Sequence, residues 1–316
     1  MRKNIRSNKV WSSALFLASV LMLSSAIVSA QTLSTTAKTA PASYDPTSAI
    51  EVSVGDGPTG VASDGTNVWV TNQFGGTVMK VSASGAILGR FAVGKNPTGV
   101  ASDGTSVWVA NNAGDTVTKL SLDGAVLGTY AAGDGPEAVL IVGDSVWVAD
   151  EKGNTVTKLS KAGATLGTFK VGRRPVALAS DGVNVWVANN KGNTVTKLSA
   201  TGAVLGTYPV GDGPFGIASD GANIWVSNFF GGSVMKLSAA DGTIVAKAAV
   251  GDGAAGIAVN GADILVVNNG TNTISVLGAD CVVFNTLKVG VSPYGLAVTP
   301  NGIWVTNSGS DSISRR

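Results

Sequence analysis

The chain has 316 residues, 22 of them basic and 20 acidic, with a single Cys and no His. The missing imidazole excludes a Ser-His-Asp triad, His-ligated zinc and proton transfer by His. One Cys excludes an intrachain disulfide, and the near balance of charge leaves no general attraction for nucleic acid.

Arg2, Lys3, Arg6 and Lys9 precede an apolar stretch from about Ala14 to Val28, and Val28-Ser29-Ala30 supplies small residues at a cleavage point. That order is the order of a secretory signal peptide. Residues 1–30 are therefore expected to be removed and the chain exported, to a periplasm or to the extracellular space. The apolar core is shorter than the ~20 residues of a helical span, so no stable membrane span is expected after removal. Loss of four basic residues leaves 18 basic against 20 acidic. Cys281, the sole thiol, suits an oxidising compartment that is met by omitting thiols. Residues 31–47 are rich in Thr, Ser, Ala and Pro without an apolar period and read as a flexible linker.

From residue 48 onward the chain repeats. GDGPTGVASDGTNVWVTN at 55–72 returns as GKNPTGVASDGTSVWVAN at 94–111 and as GDGPFGIASDGANIWVSN at 211–228. The opening glycines are Gly55, Gly94, Gly133, Gly172, Gly211, Gly251 and Gly290, spaced by 39 or 40 residues. Such a period marks a solenoid, propeller or array. The first unit reads as four strands, roughly Gly60–Ser63, Asn67–Asn72, Thr77–Ser82 and Ala86–Val93, with Asp64-Gly65 and Ser84-Gly85 as turns. Four antiparallel strands in about 40 residues suit a propeller blade. The last unit stops at Arg316 after its third strand, while Ala49–Val54 (AIEVSV) resembles a fourth strand. The expected fold is all-β: a seven-bladed propeller over 48–316, with its last blade completed by the N-terminal strand. Such closure leaves no open seam.

The pattern VG-x-x-P-x-G-[VI]-A, then DG-x-x-VWV-x-N, then TV-x-KL, is similar to YVTN/NHL-type propeller repeats. It also resembles the streptogramin (virginiamycin B) lyase branch. That resemblance implies catalytic His residues after the Pro of P-x-G. Here those places hold Thr59, Thr98, Glu137, Val176, Phe215, Ala255 and Tyr294. The resemblance therefore supports the fold and undercuts the activity. It leaves Glu137 as a conceivable base and Tyr294 as an acid.

Trp69, Trp108, Trp147, Trp186, Trp225 and Trp304 alternate with Val on the second strands, a register that favours core over a ligand ladder. Lys80, Lys119, Lys158, Lys197 and Lys236 recur on the third strands and read as solvated outer charges. Asp64, Asp103, Asp181 and Asp220 read as turn residues, without calcium-loop spacing. Asn72, Asn111, Asn189, Asn228, Asn268 and Asn307, with Asp150 in the third unit, read as left-handed turn residues.

A small asymmetric ligand needs a place where the copies differ. On the face carrying the P-x-G openings and the Asn-ended loops, these places are Glu137, Asp150, Glu151, Arg173, Arg174, Phe215, Phe229, Phe230, Phe74 and Tyr294. This set makes a candidate recognition rim; neutral drift of loops is the competing reading. No cofactor and no metal is expected. The sequence favours an exported, non-catalytic scaffold that binds a protein, peptide or glycan. The alternative is a lyase, or a metal-dependent lactonase-type hydrolase, built on Glu137 and its neighbours.

Overall fold

A computed structural model describes residues 49–316; the expected leader (1–30) and linker (31–47) lie outside the described residues. Seven four-stranded antiparallel sheets account for the described chain, together with one short 3-10 turn at Asn190–Gly192. The first blade comprises Pro58–Ser63, Val68–Asn72, Thr77–Val81 and Ile87–Ala92. Its first strand starts two residues earlier than the sequence suggests. Pro58 pairs with Asn72, and a bulge separates that pair from Val61 and Val70. Pro is tolerated there because it is the strand's first residue. Gly60 then crosses so close to the next blade that a Cβ would lie 2.3 Å from the Thr98 carbonyl oxygen. Neither residue carries a strand propensity, which is why the early start was hidden.

Ring closure follows the expected route. Ile50–Ser53 runs antiparallel to Ser312–Arg315, from Ile50 opposite Arg315 to Ser53 opposite Ser312. Ser312 Oγ donates to Glu51 Oε1 at 2.7 Å, and Thr306 Oγ1 donates across to the Thr59 carbonyl at 2.7 Å. The last and first blades are thereby joined.

The core is seven repeated interfaces rather than one centre. Trp69 packs with Val107 and Val109 of the second blade, while Val68 and Val70 pack on Trp304 of the seventh. The two faces of one strand thus serve two neighbours, as alternation requires. All six of these Trp side chains are buried.

The lysines are not free solvated charges, contrary to the sequence expectation: Lys197 is buried, the other four are half-buried, and each ammonium is engaged. Lys80 Nζ donates to the Leu122 carbonyl, Lys119 to Lys161, Lys158 to Ala200, Lys197 to Ala239 and Lys236 to Ala279, all at 2.7–2.8 Å. Each also lies 5.0–5.4 Å from the centroid of its own blade's Trp. An ammonium donor reaches carbonyls that the next blade's turn leaves unpaired, and the Trp face beneath it replaces part of its hydration. Trp indoles are held from below by the turn aspartates: Trp69 Nε1 donates to Asp64 Oδ2 at 2.8 Å, and Trp186 and Trp225 repeat this with Asp181 and Asp220. In the second blade Asp103 pairs instead with Lys161 of the third, at 2.8 Å.

The strand-closing asparagines also differ from expectation. They are fully buried, and Asn189 is extended (φ −103°, ψ 92°). Asn72 Oδ1 accepts from Gly55 N at 3.0 Å, and its Nδ2 donates to Thr77 Oγ1 at 3.2 Å. The left-handed conformation falls instead just before the third strand, at Asp115, Asn154, Asn193, Asn272 and Asp311.

Candidate functional site

The first strands of all seven blades line an axial channel of about 230 Å³. Below the P-x-G level its wall is aliphatic, with Val61, Val100, Val139, Leu178, Ile217, Ile257 and Leu296. The residues after Pro form the ring above. Thr59 and Thr98 are buried there and tied to neighbouring backbone; Thr98 Oγ1 donates to the Glu137 carbonyl at 2.9 Å. Glu137, Phe215 and Tyr294 are the members that bring chemistry, because the repeat pattern leaves this position free to vary.

These three also line a second cavity of about 200 Å³ at the channel mouth, with Glu151, Arg174, Phe229 and Phe230. Seven of the ten residues named from sequence therefore meet at one cavity. Phe215 and Tyr294 pack edge-to-face at 4.9 Å between centroids, Phe229 and Phe230 at 5.4 Å, and Phe215 and Phe229 lie 5.6 Å apart. Such tilted contacts are the favoured geometry for ring quadrupoles.

The remaining three residues stand apart. Phe74 lies over Gly57 in the first blade, is largely exposed and does not line the mouth cavity. Arg173 belongs to a shallower outer rim with Lys152 and Lys191. Asp150 is fully buried, its oxygens taken by Gly133 N at 3.0 Å, Thr155 Oγ1 at 3.0 Å and Thr157 Oγ1 at 2.8 Å. It does in the third blade what Asn does in the others. Burial pushes its carboxyl up, against the pull of those hydrogen bonds.

Arg174 is positioned by backbone geometry. Its φ is +58°, in a place where four other blades use Gly57, Gly135, Gly213 and Gly253 and two use Asn96 and Ser292. Asn154 Oδ1 holds it there by accepting from Arg174 N at 2.8 Å. A non-glycine residue in this region is strained and persists only where its surroundings compensate. Here the compensation is the Asn154 acceptor, a device that Ser292 N repeats with Asn272 in the seventh blade, and the guanidinium so placed forms an ion pair with Glu151.

Glu137 has no such cation. Asn112 Nδ2 donates to its Oε2 at 3.1 Å and reaches Glu151 Oε2 at 3.4 Å. Burial, and then the charge of Glu151, push the Glu137 carboxyl up to about 8, more strongly than Arg174 and Asn112 pull it down. It is therefore mostly protonated at pH 7. The Tyr294 phenol is also pushed up, by burial and then by Glu137 and Glu151.

Asn112 and Asn190 were missed from sequence. Both follow a strand-closing Asn, in the register place that Glu151 and Phe229 occupy in their blades. Asn190 Nδ2 donates to the Pro214 carbonyl at 3.3 Å and lines the mouth. Aligning the units at that place would have found both. Among the described residues no group of three His, Cys, Asp or Glu is spaced to hold a metal ion, and no helix is long and apolar enough to cross a membrane.

Solved structures share this architecture. The streptogramin B lyase structure superposes with a TM-score of 0.76 at 19% identity, over 84% of this chain and 96% of that one. The chain has the propeller fold of streptogramin B lyase. A catalytically inactive virginiamycin B lyase from Staphylococcus aureus with quinupristin gives 0.75 at 18% identity, over 84% of this chain and 98% of that one. Hydrazine synthase from Kuenenia stuttgartiensis gives 0.74 at 17% identity, over 81% and 94%. At such identities the likeness is one of fold, which serves many unrelated functions. No protein-family model and no curated protein matches the sequence.

Proposed function

We propose that this chain is an exported binding propeller that captures a peptide or protein ligand by drawing one of its groups into the channel mouth. One observation carries the reading: residues that break the repeat in the third, fourth, fifth and seventh blades converge on one cavity. Departures from a shared pattern that gather at one cavity are what capture of an asymmetric partner requires. The cavity, about 200 Å³, is smaller than the ~300–1,000 Å³ of sites that enclose a whole small molecule. It suits one anchoring group of a larger ligand, with Glu151 and Arg174 at its edge. Capture from the native extracellular or envelope fraction tests this. The intact chain is expected to retain a partner that Phe229→Ala/Phe230→Ala loses. Equal capture by both would refute the assignment.

A second reading is a lyase. It is favoured by Glu137 and Tyr294 sharing the mouth cavity, and by the fold likeness to a lyase solved with quinupristin. Glu137 would act as base only once ionised, so turnover of quinupristin would rise towards pH 8–9 and vanish in Glu137→Gln. Mass spectrometry of quinupristin incubated with the chain decides it. Unchanged ligand at pH 9 removes the lyase reading.

A further inference from the structure

We propose that the group drawn into the mouth is an alkylammonium, held between the aromatic rings and the carboxylate of Glu137. This rests on the capture reading above and names the chemistry of its anchor. The charges come first. Glu151 has its counter-ion in Arg174, whereas Glu137 meets only the neutral amide of Asn112. The charged groups facing Glu137 are Glu151, Arg174 and Lys152, with the Tyr294 phenol beside it; their charges balance, but Arg174 is paired with Glu151 and neither cation forms an ion pair with Glu137. A half-buried, desolvated carboxylate touched by no cation is costly, so Glu137 keeps a proton that an incoming cation would displace.

The walls make the same selection. Phe215, Phe229, Phe230 and Tyr294 surround the cavity in mutually tilted contacts. Ring faces attract ammonium ions most strongly where water is excluded. One ring of the set already does so: Lys191 Nζ, from the outer rim, lies 5.4 Å from the Phe230 centroid. A cation inside the mouth would meet rings and a carboxylate together. A neutral group would gain the rings alone, and an anion would meet Glu137 and Glu151.

Two sources carry this chemistry, a quaternary ammonium and a lysine side chain, and each has a neutral isostere. Titration calorimetry would compare choline with 3,3-dimethylbutan-1-ol, and Nα-acetyl-lysine methylamide with the norleucine analogue. At least one cation is expected to bind tenfold or more tightly than its neutral partner. Preference in the first pair identifies a quaternary ammonium, preference in the second a lysine. Affinity for that cation should rise tenfold or more from pH 6 to pH 8, with a proton released on binding. Glu137→Gln should abolish the preference. Phe230→Leu, which keeps apolar volume and removes the ring, should weaken the cation and spare the neutral partner. If neither cation is preferred, or if Glu137→Gln leaves the preference intact, the proposal fails. Equal binding of charged and neutral probes would overturn the cation while leaving capture standing. Binding of none, together with unchanged partner capture by Phe229→Ala/Phe230→Ala, would remove both.

Discussion

Glu137→Gln should make the protein more stable while it disables the site. A carboxyl that sits at 4.5 in the unfolded chain and at about 8 in the folded one favours folding only while both states are protonated. Below pH 4.5 nothing is lost. Between 4.5 and 8 the unfolded chain ionises and the folded one does not, so stability falls as pH rises. At pH 7, 2.5 pH units above 4.5, the loss is about 3 kcal/mol, one pH unit being worth ~1.4 kcal/mol. Gln removes this term and keeps the shape, and its carbonyl can still accept from Asn112 Nδ2, now 3.1 Å from Glu137 Oε2. For a chain of this size the gain corresponds to about 5–10 °C in Tm. The assay is thermal unfolding of both proteins at half-unit steps from pH 4 to pH 8. The two curves should run together near pH 4 and separate steadily above 4.5. A gap that is constant across the range, or a variant less stable at pH 7, would refute the claim that Glu137 is desolvated with no cation in contact.

Lys197→Met should cost about 3 kcal/mol, because Nζ donates to the carbonyls of Ala239 at 2.7 Å and Ala240 at 3.1 Å and lies over Trp186. Urea unfolding checks it, and a loss under 0.5 kcal/mol would restore the solvated reading. Asp150→Asn should leave stability unchanged or raise it above pH 5, since it installs the amide that six other blades use and removes a carboxyl that burial pushes up; Tm against pH reads this directly. Trp147→Ala should cost ~3–5 kcal/mol by opening the interface with Val185 and Val187, measured by the shift of the urea midpoint. Deleting residues 49–54 should unpair Ser312–Arg315 and expose its edge. Hydrogen exchange would show the seventh blade losing protection first, and uniform protection would contradict closure by this strand.

The sequence by itself determined the fold. Spacing of 39 or 40 residues, period-two alternation around each Trp and a last unit short of one strand required seven blades and a shared closure. These features are legible because they repeat, and each repetition tests the one before. Register also singled out Glu137, Phe215 and Tyr294 as departures at one position, and Glu151, Arg174, Phe229 and Phe230 as departures nearby. Only the tertiary structure decided which departures meet. Asp150 and Glu151 are adjacent in the chain, yet pleating sends one into the blade and the other to the mouth. Lys80 and its counterparts look like surface charges until the next blade brings a carbonyl to each. The state of the Glu137 carboxyl likewise depends on three blades at once: burial and Glu151 of its own blade push it up, while Arg174 from the fourth and Asn112 from the second pull it down. Local pattern sets strands and turns, whereas desolvation and charge pairing depend on neighbours tens to hundreds of residues away.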